Sequence, residues 1–400
     1  MNAPTAGALD GIRVLDLTRA LAGPYCTMFL GDMGAEIAKV EQPGVGDDSR
    51  GWGPPFIGQE SAYFLAINRN KKSLTIDMKT DQGVELVRRL ASKADVLIEN
   101  FRPGTMERLG LGEPALRGLN PRLVYASLSG FGADGPMKDW PGYDLIMQAW
   151  GGFMSITGRP DGEPTKVAVA IIDIVAGLML GKAIAAALFA RERTGVGQRI
   201  DTSLLEAEVA CLIPYGSDYL ASGKVPGRNG NAHPNIVPYQ SFNTLDGYMV
   251  VGAASEGNWQ RLCQAIDRPE LANDPRFAKN AQRVGHRKEL IDILTEVFLK
   301  RDTAAWIRLL GDAGIPCAPV NTIDRVFAEP QVLHRNMLLE IEHPTAGKVR
   351  MAGMPLKFSN TPTSVRLPPP LLGQHTEEVL ASWLGMGKDE IARLKEKSVL

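Results

Sequence analysis

The sequence predicts an α/β protein: a large domain on a parallel sheet, interrupted by a small α+β domain. Three observations carry this. Short β-branched runs alternate with helical patterns over roughly the first 200 residues, as βαβ units do. A polar stretch rich in Gly, Asn and Pro at 217–234 breaks the alternation, and a Pro-rich stretch at 361–370 precedes a last helical pattern.

The elements follow in order. Ile12 to Leu17 reads as a strand, and Ala22-Gly23-Pro24 opens a helix with Pro near its first turn. Glu36 to Val40 is the second strand. From Thr80 to Ala94, Val84, Leu86, Val87, Leu90 and Ala91 recur at helical spacing. Val96 to Glu99 and Leu123 to Leu128 are further strands, and Val167 to Ala190 is a long apolar helix. Beyond the break, Gln240 to Gly252 alternates around an Asp246-Gly247 turn, and amphipathic helices follow at 258–265, 288–298 and 304–313. A final helix starts near Thr376. The expected division is 1–215 for the large domain, 216–234 for a linker, 235–325 for the small domain, and 326–400 for a return to the large one.

Composition narrows the function classes. Of 400 residues, 44 are Lys or Arg and 45 are Asp or Glu, a net charge of −1. A nucleic-acid binder would carry a basic domain. Four scattered cysteines (Cys26, Cys211, Cys263, Cys317) point to reduced thiols in a cytoplasmic protein rather than a disulfide framework or a zinc site. Met1 to Leu9 has no basic or apolar leader character. The 167–190 run could span a bilayer by length, but Asp173 and Lys182 would each cost roughly 2.5–3.5 kcal/mol at a membrane centre. It reads as a soluble helix buried nearly all round, and no membrane partner is expected.

Familiar motifs are absent. Gly110 to Ala115 mimics a dinucleotide fingerprint but follows no strand, and Gly177 to Ala183 is one residue short of a phosphate loop. The five histidines are dispersed, so no metal site is expected.

Three places look like chemistry. Asp173 is an acid near the start of an apolar helix, flanked on its face by Ala176, Gly177 and Gly181. Either it works there, or it is a helix-start acid with glycines for close packing. The strings Asn68 to Ser73 with Asp77-Met78-Lys79, and Glu99 to Gly104 with Arg108, follow strand-like runs. They could hold phosphates at the sheet's carboxyl edge, or form a solvated basic rim.

Together these strings resemble the class III CoA-transferases, the formyl-CoA and carnitine CoA-transferase family. The resemblance runs through VLDLTRALAGPYCTMFLGDMGAEIAKVEQPG, NRNKKSLTIDMK, ADVLIENFRPGTMERLG, PGYDLIMQAWGG, the Asp173 helix and RTGVGQRIDTSLLEA. It implies a Rossmann-like large domain, a small domain and an interlocked homodimer. It implies that Asp173 attacks an acyl-CoA thioester and passes through an aspartyl-CoA thioester, with CoA as substrate and no resident cofactor. It places CoA on Gln42, Ile76, Asp77, Met78, Lys79, Asn100, Phe101, Arg102 and Arg108. Tyr143 and Asp144 match the family's Tyr–acid pair near the substrate, and Lys138 follows a turn from which it could reach a CoA phosphate. Trp52 and Tyr63 match aromatics at the oxalate end of the formyl enzyme's site.

Two departures argue against formyl-CoA:oxalate exchange: Leu21 stands where that enzyme has Gln, and its glycine-rich insertion is missing before Pro238-Tyr239. GWGPPF and NAHPNIVPYQSF look more like members that use succinyl-CoA or glutaryl-CoA with dicarboxylates. A racemase of α-methylacyl-CoA would need His where Tyr143 stands, and a CoA-binding protein without catalysis would not need Asp173.

Overall fold

The computed structural model describes residues 6–400; Met1–Thr5, part of the stretch read as carrying no leader, lie outside the described residues. The chain forms two compact units. One comprises the chain up to Phe153, Val167–Ser217 and Pro330–Leu400; the other comprises Met154–Lys166 and Asp218–Glu329. The segment 154–166, expected within the large domain, thus belongs to the second unit. Its anchors are local: Gly230 N–H donates to the Gly158 carbonyl, and Arg228 donates to the carbonyls of Arg159 and Gly162.

The first unit is built on six parallel strands: β1 (Arg13–Asp16), β2 (Glu36–Glu41), β3 (Lys71–Thr75), β4 (Val96–Glu99), β5 (Val124–Ser129) and β6 (Arg199–Ser203). Their order is β3-β2-β1-β4-β5-β6. The direction of winding reverses between β1 and β4, which opens a crevice at the strands' carboxyl ends. Side chains alternate strictly. Leu15, Ala38, Val40, Leu74, Leu97 and Tyr125 enter one core, while Val14, Ile37, Val96, Ile98, Val124 and Ala126 enter the other. Both faces are covered, as a parallel sheet requires.

Helix α1 (Ala22–Asp32) starts with Pro24 in its first turn. Helix α2 (Ala62–Ile67) is capped by Ser61, and α3 (Asp81–Ala91) by Thr80, whose hydroxyl accepts from Gly83 N–H at 3.0 Å. A short α4 (Asp144–Trp150) precedes α5 (Ile171–Thr194), and α6 (Leu204–Ala210) follows β6.

The long apolar helix therefore starts four residues later than the pattern suggested and ends at Gly195, where φ is 74°. Its Ile172, Ala176, Leu180, Ile184 and Ala187 form a buried stripe at helical spacing on the sheet. Burying Leu180 and Ile184 stabilises by about 1.5–3 kcal/mol each, which outweighs the ~1 kcal/mol cost of a mid-helix glycine. Burial all round is not observed: Leu178, Met179 and Phe189 are 47%, 37% and 66% exposed. By length and composition alone this helix could cross a membrane.

Gly177 explains the small face. A Cβ there would sit 2.5 Å from the Ala22 carbonyl oxygen, so α5 presses directly on the start of α1. Gly177 serves this helix packing, whereas a Cβ on Gly181 would make only an ordinary contact with Cys26 Sγ at 3.6 Å.

The β1–α1 loop is held from below by buried charge. Lys39 Nζ donates to Asp47 and to the Thr18 carbonyl, both at 2.8 Å. Lys71 Nζ lies 3.4 Å from Asp16 and donates to the Pro24 carbonyl at 2.8 Å. All four charged groups are buried.

The second unit carries an antiparallel sheet of β7 (Tyr239–Asn243), β8 (Tyr248–Gly252) and β9 (Cys317–Pro319), in the order β9-β8-β7. Its helices, Glu256–Ala265, Arg287–Phe298 and Thr303–Asp312 among them, bury Trp259, Phe298 and Trp306. In the returning segment, a hairpin of β10 (Leu338–His343) and β11 (Gly347–Ala352) was not foreseen. The expected final helix is two, Thr376–Leu384 and Lys388–Glu396, divided by Gly385 at φ 66°.

Candidate active site

Asp173 sits in the first turn of α5. What fixes that turn is α4. Gly130 and Gly142 touch backbone to backbone, since a Cβ on Gly142 would lie 2.8 Å from the Gly130 Cα, and this brings the chain back to start α4 at Asp144. The Asp144 carboxylate is buried. One oxygen accepts from Ile172 N–H at 2.8 Å, the other from Gln148 Nε2 at 2.6 Å. Gln148 Oε1 accepts from Val167 N–H at 2.7 Å. A first-turn N–H of α5, which has no partner within its own helix, is thereby satisfied by an anion. Asp144 was expected near the substrate; its oxygens cap the helix that carries Asp173.

The electrostatics are unusual. Burial, then the charge of Asp144, pushes the Asp173 carboxyl up to about 7. Burial also lifts Glu208 to about 7, with Asp144 adding to the effect. Glu208 Oε1 accepts from Phe153 N–H at 3.0 Å, and its Oε2 is buried without a hydrogen-bond partner. Tyr63, pushed to about 12 by burial and by Asp173 and Asp144, keeps its proton. Trp52 meets Tyr63 edge-on at 5.0 Å, and both rings are partly open to solvent. The arrangement is thus a carboxylate of raised basicity beside a phenol donor and an open aromatic pair. Such a group is a stronger nucleophile than an ordinary aspartate.

The other expected residues fall into two adjoining cavities at the sheet's carboxyl edge. Gln42, Ile76, Asp77, Met78, Lys79 and Phe101 line one of about 230 Å³. Phe101, Arg102, Arg108 and Lys138 line the second, of about 460 Å³, whose wall also holds Glu99, Ser127 and Asp201. Phe101 lines both. Lys79, Arg102, Arg108 and Lys138 are exposed, as phosphate-binding cations need to be. Tyr143 is 69% exposed.

Two of the expected places are already engaged within the fold. Asn100 is occupied with the protein itself: its amide donates to the Arg19 carbonyl and accepts from Arg19 N–H, both at 2.9 Å. The basic string 68–73 is not a rim, because its second half is β3. Arg69 is buried in a pair with Asp32, and Lys71 in the network with Asp16. At the sheet's carboxyl edge the run contributes Asp77, Met78 and Lys79 to the smaller cavity.

Gln148 and Glu208 were missed, and Glu99 was read only as the start of a basic string. Gln148 could have been found, since it lies four residues after Asp144 on one helix face. Glu208 sits in a string that reads as ordinary amphipathic helix. Glu99 is lifted to about 7, by burial first and then by Glu107 and Asp201, which only the fold brings near.

Comparison with known proteins identifies the family. The chain belongs to CoA-transferase family III, whose model matches residues 9–376, and it is therefore a CoA-transferase. It is 46% identical over 386 residues to the succinyl-CoA:glutarate CoA-transferase of Mus musculus, covering 96% of this chain and 88% of that one. It is 43% identical to the succinate–glutarate CoA-transferase of Agrobacterium fabrum, covering 93% and 95%. A CaiB/BaiF family protein from Brucella suis, known from its crystal structure, is 42% identical with a TM-score of 0.84, covering 94% of this chain and all of that one.

Proposed function

We propose that this enzyme moves CoA from succinyl-CoA or a similar donor to a free dicarboxylate, through an aspartyl-CoA thioester on Asp173. The observation that carries the reading is the Asp173 carboxyl, raised in basicity and anchored at a helix start beside Tyr63. The Asp173 carboxylate attacks the thioester carbonyl and CoA thiolate leaves, giving a mixed anhydride. The thiolate attacks the aspartyl carbonyl and the donor carboxylate leaves. The acceptor carboxylate then attacks the aspartyl thioester, the thiolate leaves, and its attack on the acceptor carbonyl restores Asp173. No net proton moves and the thioester energy is kept.

The relatives' substrates support a dicarboxylate acceptor, since those at 46% and 43% identity are named for succinyl-CoA or succinate and glutarate. Gln42, Ile76–Lys79 and Phe101, with Arg102, Arg108 and Lys138, are the CoA-binding set in this reading, while Asn100 and Asp144 shape the site indirectly. The strand order supports a Rossmann-like large domain. An interlocked homodimer is supported by apolar side chains that one chain leaves in water: Leu145, Ile146 and Trp150 on α4, and Leu178, Met179 and Phe189 on α5. The four free thiols support a reducing, cytoplasmic setting.

The test is mass spectrometry of the protein incubated with succinyl-CoA and a panel of carboxylic acids without ATP. New CoA thioesters of dicarboxylates are expected. No exchange with any acid, together with epimerisation of a 2-methylacyl-CoA, would replace this reading by a racemase.

A further inference from the structure

We propose that Gln148 is a positioning residue for the reaction: its side-chain amide fixes the Asp144 carboxylate so that the start of α5 holds Asp173 in its attacking position. The inference rests on Asp173 being the nucleophile, as proposed above.

The geometry forms one connected clamp. Gln148 is fully buried. Its amide nitrogen donates to Asp144 Oδ2 at 2.6 Å and lies 3.3 Å from the Val167 carbonyl, while its oxygen accepts from Val167 N–H at 2.7 Å. Asp144 Oδ1 takes the Ile172 N–H at 2.8 Å. Two side chains one turn apart on α4 therefore grip both ends of the strap 167–172, and Asp173 is the next residue. Without Gln148, Asp144 keeps one bond of two and can rotate away from α5.

The chemistry also asks for an amide. The charge of Asp144 acts on three groups from three different helices: Tyr63 on α2, Asp173 on α5 and Glu208 on α6. All three are acids. A cation at position 148 would offset the Asp144 charge that helps keep Asp173 basic, and an ionised carboxylate would repel Asp144. Gln supplies a donor and an acceptor with no charge.

Gln148→Glu tests this with little change of shape. As a neutral acid, Glu keeps both bonds, its O–H donating to Asp144 and its carbonyl accepting from Val167 N–H. Once ionised it has no proton for Asp144. Exchange between succinyl-CoA and glutarate should then show a kcat that stays close to the wild-type value at the same pH only in the acid range. By pH 8, where the wild-type enzyme is at its plateau, kcat should have fallen at least about tenfold, with KM for succinyl-CoA nearly unmoved. The ratio to the wild-type kcat should recover when the same sample goes back to pH 6. Gln148→Ala should lower kcat about 10- to 100-fold at every pH.

A wild-type pH profile for Gln148→Glu overturns the proposal, as does loss that does not reverse, or Gln148→Ala with reduced thermal stability but wild-type kcat. Asp173→Asn in the same assay separates the two readings. If it turns over, the nucleophile is misassigned. If it is dead while Gln148→Glu follows the wild type, only the clamp is wrong.

Discussion

Two clusters of buried charge lie in the first unit, and they are built on opposite rules. Beneath the β1–α1 loop, Asp16 and Asp47 face Lys71 and Lys39. Burial works against ionising Asp16, but Lys71, Lys39 and hydrogen bonds from Thr18 and Thr27 overcome it and hold the carboxyl below its usual range. Around α4 and α5, Asp144, Asp173 and Glu208 are all acids, and burial with like charge drives Asp173 and Glu208 up to about 7. The first cluster is balanced and serves structure. The second is unbalanced, which costs stability and leaves a reactive group. Burial alone does not separate the two; the sign of the neighbours does.

The contrast breaks most visibly at Asp173. Asp173→Asn should reduce exchange at least about a thousandfold, since no nucleophile remains. It should not destabilise the fold. A carboxyl whose folded value lies above its unfolded 3.8 keeps its full stability at low pH and loses it as pH rises through about 7. Urea unfolding should therefore show the Asn variant equal to the wild type near pH 4 and more stable at pH 8. In the wild type, the rate limited by ionised Asp173 should fall about tenfold per pH unit below 7.

The balanced cluster should respond in the other direction. Lys71→Met leaves Asp16 buried without its nearest cation, which costs about 3–5 kcal/mol in urea unfolding. A loss under 1 kcal/mol would mean the network is not structural. Gly177→Ala comes next, at about 1–3 kcal/mol, because a methyl would meet the Ala22 carbonyl at 2.5 Å and lift α5. The smallest effect belongs to the exposed rim. Arg108→Ala should raise KM for acyl-CoA by several-fold, about 1 kcal/mol, with kcat unchanged and the difference shrinking in high salt.

The sequence made much of this legible and left some of it dark for physical reasons. Strands β1, β2, β4 and β5 were readable because both faces of a parallel sheet are apolar, so their runs are dense in Val, Ile and Leu. β3 was not, because KKSLT carries Lys71, a buried cation whose partner lies 55 positions away in sequence, at Asp16. β6 hides in the same way, as RIDTS is polar. Asp173 stood out because an acid in an apolar helix is costly. Its glycines also stood out but were ambiguous between ligand and packing until α1 was seen against them. Asn100 was placed against CoA and Asp144 near the substrate because a motif locates a residue and says nothing of which way its side chain bonds.

One consequence of the all-acid neighbourhood concerns partition. In the proposed cycle, each mixed anhydride joins Asp173 to a substrate carboxyl, and thiolate can attack either carbonyl. Whichever carboxylate is the weaker base departs more readily. An ordinary substrate carboxyl near 4.3 is a weaker base than Asp173 at about 7. Attack at the aspartyl carbonyl, with departure of the substrate acid, is then the easier branch, and the covalent enzyme–CoA species becomes the resting point between donor and acceptor. Burial, with the charge of the helix-capping carboxylate added to it, thus biases which bond of the anhydride breaks, and Asp144 does its part without touching it.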